Sequence, residues 1–314
     1  MSRLTRIRLV NGIAVLVGAA FVSPGASVAR AQSGAHTLTC GPERTIGQAL
    51  KRLKPGDTLL VSGTCHENVE IGEEFQRITL DGQGAAIISG DGSAHAVIVR
   101  GHGITIRGFV VTGGSPQGIN VQDGGSAVID SNVLHDNARN GIGVFRNSSA
   151  DITNNTIQHN PVAGIVVDSI SSARIGWAGP PNNRISAPNT IQDNGSHGIQ
   201  VVRGSSAQIF TNTIRGNGGN GIFVDRNSQA QIAGSAIGGN AGDGIRGTRG
   251  AAIDIGTDAT GATPQFDDDT NVGTNGGFGV SCAIGGFVDG RLGALTGNSG
   301  GKAFAEACTD SVVP

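Results

Sequence analysis

The chain has 314 residues, of which 37% are hydrophobic and 15% charged, with a formal net charge of −2. That charge excludes a nucleic-acid binder working through a broad basic surface. The 53 glycines, against no Tyr and one Trp, predict many tight turns and argue against an aromatic-rich core.

Residues 1–31 form a targeting segment. Arg3, Arg6 and Arg8 give a basic start, and Leu9 to Val22 is an apolar stretch too short to span a bilayer. Ala29-Arg30-Ala31 is a small-residue cleavage site. The expectation is a secreted or periplasmic protein with no membrane attachment after cleavage. Removing 1–31 takes away Arg3, Arg6, Arg8 and Arg30 and no acid, so 22 basic against 24 acidic residues become 18 against 24, a net charge of −6.

Residues 32–72 are expected to cap one end. Thr45 to Leu53 has helical apolar spacing with Thr45 as N-cap, Lys54-Pro55-Gly56-Asp57 ends it, and Thr58 to Val61 is a strand.

Residues 73–278 carry a repeat. After irregular strands at Ile78-Thr79-Leu80, Ile87-Ile88, Val97-Ile98-Val99 and Ile104-Thr105-Ile106, a Gly-Ile-x-Val unit starts at Gly118, Gly141, Gly164, Gly198 and Gly221, and weakly at Gly244. The interval is 23 residues, once lengthened by an insertion at Gly176 to Pro188 that contains Trp177. Each unit adds Ala-x-Ile (Ala127 and Ile129, Ala150 and Ile152, Ala173 and Ile175, Ala207 and Ile209, Ala230 and Ile232) and a third apolar column at Leu134, Ile157, Ile191, Ile214 and Ile237. Short alternating β-branched runs predict three strands per unit. Two polar columns accompany them, Asn132, Asn155, Asn189, Asn212 and Ser235, and Asn137, Asn160, Asn194, Asn217 and Asn240. Stacked amides can bond up and down a ladder and hold tight bends. A unit of this size cannot bury its own apolar face, but a stack of them can. The fold class is therefore all-β, a single-stranded parallel β-solenoid of about 23 residues per rung with an N-terminal helical cap.

The pattern Ala-x-Ile-x-x-Asn-x-Ile followed by Gly-Ile-x-Val resembles the right-handed parallel β-helix proteins of the pectate-lyase-like superfamily, bacterial secreted type, from about Cys40 onward. The run from Lys54 to Val69 is similar to the N-terminal cap of that family. The resemblance implies a right-handed coil whose first-strand face is the usual substrate face. The family's catalytic and calcium-ligand motifs do not appear at matching positions, and the lack of Tyr argues against tyrosine-based alginate enzymes.

A second insertion follows Ile255 and holds Asp267, Asp268 and Asp269, whose carboxylates are candidate Ca²⁺ ligands. No other cofactor is expected. Residues 279–314 are expected to close the other end. In an exported chain four cysteines point to disulfides. With Cys40 and Cys65 at one end of the coil and Cys282 and Cys308 at the other, only the pairings Cys40–Cys65 and Cys282–Cys308 are geometrically reasonable.

No motif fixes a reaction. The turn after each Gly-Ile-x-Val strand reads Phe145-Arg146, Asp168-Ser169, Val202-Arg203, Asp225-Arg226 and Thr248-Arg249. Stacked, these place arginines beside carboxylates. One reading is a solvated charged edge with cross-rung ion pairs. The other is an extended polysaccharide groove on this face, with Arg146, Arg203, Arg226, Phe145 and Phe223 binding substrate. Asp168 and Asp225 are then the candidate catalytic pair, two rungs apart at about 9–10 Å, near the roughly 6.5–9.5 Å that an inverting glycosidase uses. His135, His159 and His197 are further candidate ligands or bases on the third turn. The expected partner is a polysaccharide, met by a monomer as a lyase, glycosidase or binding protein. The alternative is a non-catalytic envelope or surface module, structural or adhesive.

Overall fold

The computed structural model describes residues 34–180, 183–256, 271–291, 294–296, 298–299 and 311–313. The expected signal segment, the Asp267-Asp268-Asp269 run and Cys308 lie outside the described residues. Every strand of the repeat pairs in parallel with its copy one unit away. Ile119, Ile142, Ile165, Ile199, Ile222 and Ile245 stand one above another, followed by Val280. These strands make a nine-stranded sheet, the first face of the coil. The Ala-x-Ile strands and the third strands stack likewise and join in a second sheet of 20 strands. They join because Thr79–Ser89 and Ile104–Thr112 run unbroken through both faces. There Phe109 occupies the ladder-Asn column and no amide is available to hold a sharp bend.

The inward positions form one continuous core, with Ile119, Ile129, Leu134, Ile142, Ile152 and Ile157 all buried. Full burial of an aliphatic side chain contributes about 1.5–3 kcal/mol. The stack repeats that contribution on every rung.

Four buried polar columns hold the corners. In the two asparagine columns each Asn backbone N–H donates to the side-chain oxygen of the next rung, an amide oxygen except at Asn212, whose acceptor is the Ser235 hydroxyl. Examples are Asn132 to Asn155 at 2.9 Å and Asn137 to Asn160 at 3.2 Å. The second column continues through Asn275 to Asn298. The residue before a ladder Asn, such as Ser131, Asn154, His159 or Asp193, takes the left-handed conformation, with φ near 55°. The amide therefore anchors the bend while its neighbour makes it. A serine column at Ser148, Ser171, Ser205 and Ser228 does the same after the first strand.

The fourth column stands just before the Gly-Ile-x-Val glycines and runs in the opposite sense. Each side chain accepts the N–H of the following rung: His95 from Gln117, Asn140 from Ala163, His197 from Asn220, Asn220 from Asp243 and Asp243 from Phe278.

The ends differ from the expected boundaries. Ala35–Thr39 already pairs with Thr58–Ser62, so the sheet begins inside the stretch read as a cap. The helix is Ile46–Leu50, shorter than its apolar spacing suggested. Thr45 caps it, and Glu67 accepts the Ile46 and Gly47 N–H groups. At the other end Val280–Ala283, Phe287–Arg291 and Ala294–Thr296 stay in register. The coil thus outlasts the Ala-x-Ile pattern, because burial at Val288 keeps the core going. Cys40 and Cys65 are joined, with Cα atoms 5.1 Å apart. Cys282 is disulfide-bonded as well.

Candidate functional site

The charged edge after the first strand was the expected site. Register puts Val167 beside Val201 and Val201 beside Val224. Asp168 and Asp225 therefore share a column with Val202 between them. Each is only 2% exposed. Arg203, Arg226 and Arg249 all lie in the left-handed region, at φ 54°, 55° and 48°. Arg203 folds back one rung, where its Nε donates to Asp168 Oδ1 at 2.5 Å and its Nη2 to Asp168 Oδ2. Arg249 grips Asp225 in the same two-pronged way, Nε to Oδ1 at 2.6 Å and Nη2 to Oδ2. Arg226 stands 3.6 Å from Asp225 Oδ2. Arg146 donates to Asp123, which also takes Arg100. These hydrogen bonds to carboxylate hold the Arg203 and Arg249 guanidinia even more firmly protonated than usual. Arg203 was expected to hold a substrate carboxylate, but its fork is occupied by Asp168.

Phe145 and Phe223 are not brought together. The Phe145 ring packs against Gly143, where a Cβ would come within 2.2 Å of it. Phe223 stacks on His197, with ring centroids 4.7 Å apart. The three histidines occupy three different places. His135 ends a third strand and meets the Asp136 carboxylate at 2.7 Å. His159 makes a left-handed bend, and His197 belongs to the fourth column. Burial, with Arg246 adding, pushes the His197 imidazole below its ordinary value.

The outward column of the first face is Asn120, Gly143, Val166, Gln200, Phe223, Arg246 and Ser281. Several of its members, Asn120, Val166 and Ser281 among them, are covered by neighbouring side chains. A trough of about 860 Å³ lies instead on the Ala-x-Ile face. Its lining includes the outward column Asp151, Arg174, Gln208, Gln231, Asp254 and Asp289, with Ser149, Ser172 and Ser206 alongside. Arg174 is bound in a fork by Asp151 and also donates to the Gly179 carbonyl at 3.0 Å. Gln208 Nε2 donates to Gln231 Oε1 at 3.2 Å, and Gln231 Nε2 to Asp254 Oδ2 at 3.3 Å. The sequence carried only a faint sign of this cleft, two glutamines at the same place in successive units.

Known proteins fit this picture. The family model described as "right handed beta helix region" matches residues 95–259, just over half of the chain. The chain belongs to the right-handed β-helix family. A comparison with curated proteins gives no match. A crystal structure of the pectate lyase Pel9A is similar at TM-score 0.64 and 14% identity, covering 89% of this chain and 80% of that one. A mutant of the periplasmic alginate epimerase AlgG gives TM-score 0.52 at 14% identity, covering 88% and 82%. At such identities the likeness is one of fold.

Within this β-helix the insertion is a local departure. The chain leaves the coil at Gly176, whose φ of 91° and close approach to the Phe210 carbonyl exclude a side chain. It then forms a two-stranded antiparallel hairpin, Trp177–Ala178 with Ile185–Ser186. Trp177 is 1% exposed and forms a small second core with Phe210 and Ala233. Arg174 and Arg184 flank its ring at 4.7 and 5.5 Å. Trp177 thus pins the hairpin beside the trough and offers no sugar platform.

Ligand atoms of Cys40, Cys65 and Glu67 lie within 4.8 Å of one another. The two sulfurs are bonded to each other, and Glu67 holds the start of the helix, so this group does not suit an ion. Among the described residues no helix is long and apolar enough to cross a membrane.

Proposed function

We infer that this chain is an exported polysaccharide-binding protein of the β-helix type, which holds a glycan without cleaving it. The observation that carries the reading is the trough on the Ala-x-Ile face. It is an open cleft crossing successive rungs, lined by amides, hydroxyls and carboxylates with a row of alanines between them. Rungs repeat about every 4.8 Å, so an extended chain along the axis meets a polar outward side chain on every rung from Asp151 to Asp289. The fold-level likeness to proteins named as a pectate lyase and an alginate epimerase supports a polysaccharide as the ligand. The basic, then apolar N-terminal stretch and the Cys40–Cys65 disulfide support export.

Binding is favoured over catalysis by the state of the two candidate carboxylates. An inverting glycosidase needs both carboxyls open to the scissile bond and its attacking water. Asp168 and Asp225 are buried, and each is engaged on both oxygens by a guanidinium, so neither presents a free oxygen to a substrate. We therefore assign Asp168, Asp225, Arg203 and Arg249 to the stability of the coil, with Arg146 in the same role toward Asp123. The test is a glycan array on the mature protein, followed by reducing-end and unsaturated-uronate assays on whatever binds. Binding without turnover supports the reading. Turnover that disappears in Asp168→Asn or Asp225→Asn with binding retained overturns it in favour of an enzyme.

A further inference from the structure

A second outward column lines the trough beside the first. It runs Ser149, Ser172, Ser206, Gln229, Ala252 and Phe287. Its first four members are polar, as outward positions commonly are, and its last is a phenyl ring. Phe287 is 42% exposed. The other exposed large apolar side chains, Ile170, Ile185 and Ile284, do not line the trough. Among the described residues Phe287 is the one aromatic ring that does. Its neighbour on the preceding rung is Ala252, also exposed, whose methyl group is too short to cover a ring. The core passes inside this strand at Val288, so Phe287 is no part of it. Asp289 is the next outward residue on the same strand, exposed and lining the trough as well. Such neighbours stand about 6.6 Å apart, a spacing that one sugar ring can bridge. Asp289 Oδ1 accepts the Gly290 N–H at 2.7 Å, and Oδ2 makes no hydrogen bond to the described residues. An apolar surface with a placed acceptor at its rim is the usual make-up of a small-molecule site. A pyranose with equatorial hydroxyls matches it. Such a sugar carries C–H groups on its two faces and hydroxyls around its edge. Laid on Phe287, it sets C–H groups against the negative face of the phenyl ring and edge hydroxyls against Asp289, which accepts from them.

We propose that Phe287 and Asp289 form a sugar subsite in the trough, where the ring stacks on one pyranose of a glycan with equatorial hydroxyls, such as a β-1,4-linked glucan or xylan. The proposal rests on the polysaccharide reading above and adds the class of sugar and the two residues that hold it.

The experiment is calorimetric titration of the full-length mature protein with cellohexaose, xylohexaose and hexagalacturonate, whose sugars carry an axial O4, alongside the glycan array. The expected result is binding of cellohexaose or xylohexaose. Phe287→Ala should weaken that binding by about tenfold or more, and Asp289→Ala by about tenfold. Phe287→Trp should retain it, since it keeps an aromatic platform. That variant also supplies a second readout, because the one native Trp is buried in the hairpin core. Its emission should shift when the bound hexasaccharide is added, and this readout decides the matter if Phe287→Ala fails to fold. Binding that Phe287→Ala leaves unchanged, or an emission that does not shift on binding, would overturn the subsite and leave the polysaccharide reading standing. Binding confined to hexagalacturonate or to other glycans of the array would overturn the sugar class. A blank array and no heat with any of the three probes would overturn the polysaccharide reading itself.

Discussion

The turn after the Gly-Ile-x-Val strand and the trough on the Ala-x-Ile face use similar polar residues to opposite ends. At the turn, Asp168 and Asp225 are buried and both oxygens of each are bound by arginines. In the trough, Gln208 and Gln231 are half-buried and their hydrogen-bonding capacity is only partly used. A column of charges in a solenoid is therefore not by itself a groove. What decides is whether the partners on adjacent rungs consume one another. The left-handed backbone at Arg203 and Arg249 turns each guanidinium back along the stack, and that closes the pairs.

The sharpest test of the frame behind this comparison is the inward column. Ile165 is fully buried between Ile142 and Ile199. Ile165→Asp places an unpaired carboxylate among aliphatic side chains and should cost more than about 5 kcal/mol, enough to abolish cooperative folding. Circular dichroism during thermal unfolding reads the outcome, and an unchanged midpoint would mean that the column does not face inward.

The asparagine ladder comes next. Asn160 accepts the Asn137 N–H and donates to Asn194, all of them buried. Asn160→Ala should cost about 3 kcal/mol, because it leaves buried groups on the rungs either side without partners. Chemical denaturation measures it. A loss below about 0.5 kcal/mol would show that the ladder decorates the bend without holding it.

These two effects concern the part of the molecule that was legible in the sequence. Ile119, Ile142 and Ile165 and the Asn132 and Asn137 columns repeat one residue type at one spacing, so stacking could be inferred without coordinates. The fourth column was hidden because its residue type changes from His95 to Asn140, His197, Asn220 and Asp243. What recurs along it is the position of an acceptor atom, and even that is missing at Ala163. The charged edge was visible as composition, but pairing depends on the φ of Arg203 and Arg249, which no residue count reveals. The trough was the least legible, since Gln208 and Gln231 look like ordinary surface residues until the register aligns them with Arg174 and Asp254.

Asp168→Asn tests the comparison itself. An amide cannot match the guanidinium fork, and Arg203 is half exposed and can rehydrate. The stability loss should be about 1–2 kcal/mol, with glycan binding unchanged. Arg203→Ala should cost a similar amount, and the double variant little more, since the two side chains share one interaction. Intact stability with lost binding would invert the comparison and make this edge the binding surface.

The smallest effect concerns the fourth column and depends on pH. His197 Nδ1 accepts the Asn220 N–H at 3.0 Å, so that nitrogen must carry no proton. Burial first, and Arg246 second, push the His197 imidazole below its ordinary value of 6.5. His95 accepts the Gln117 N–H in the same way, and it is pushed down by burial, then by Arg100 and Arg146. A histidine lowered in the fold takes up its proton more readily in the unfolded chain. Its contribution is therefore complete above the ordinary value and is lost as pH falls through the lower, folded one. The thermal midpoint should decline as the protein is acidified from about pH 7.5 to about pH 5. His197→Asn should shrink that decline, because Asn140 and Asn220 fill the same column with an acceptor that does not titrate. The His95 share should remain. An NMR titration of the His197 ring supplies the independent check. A ring that titrates at or above its ordinary value would mean that Asn220 is not its partner, and the fourth column would then be broken at that rung.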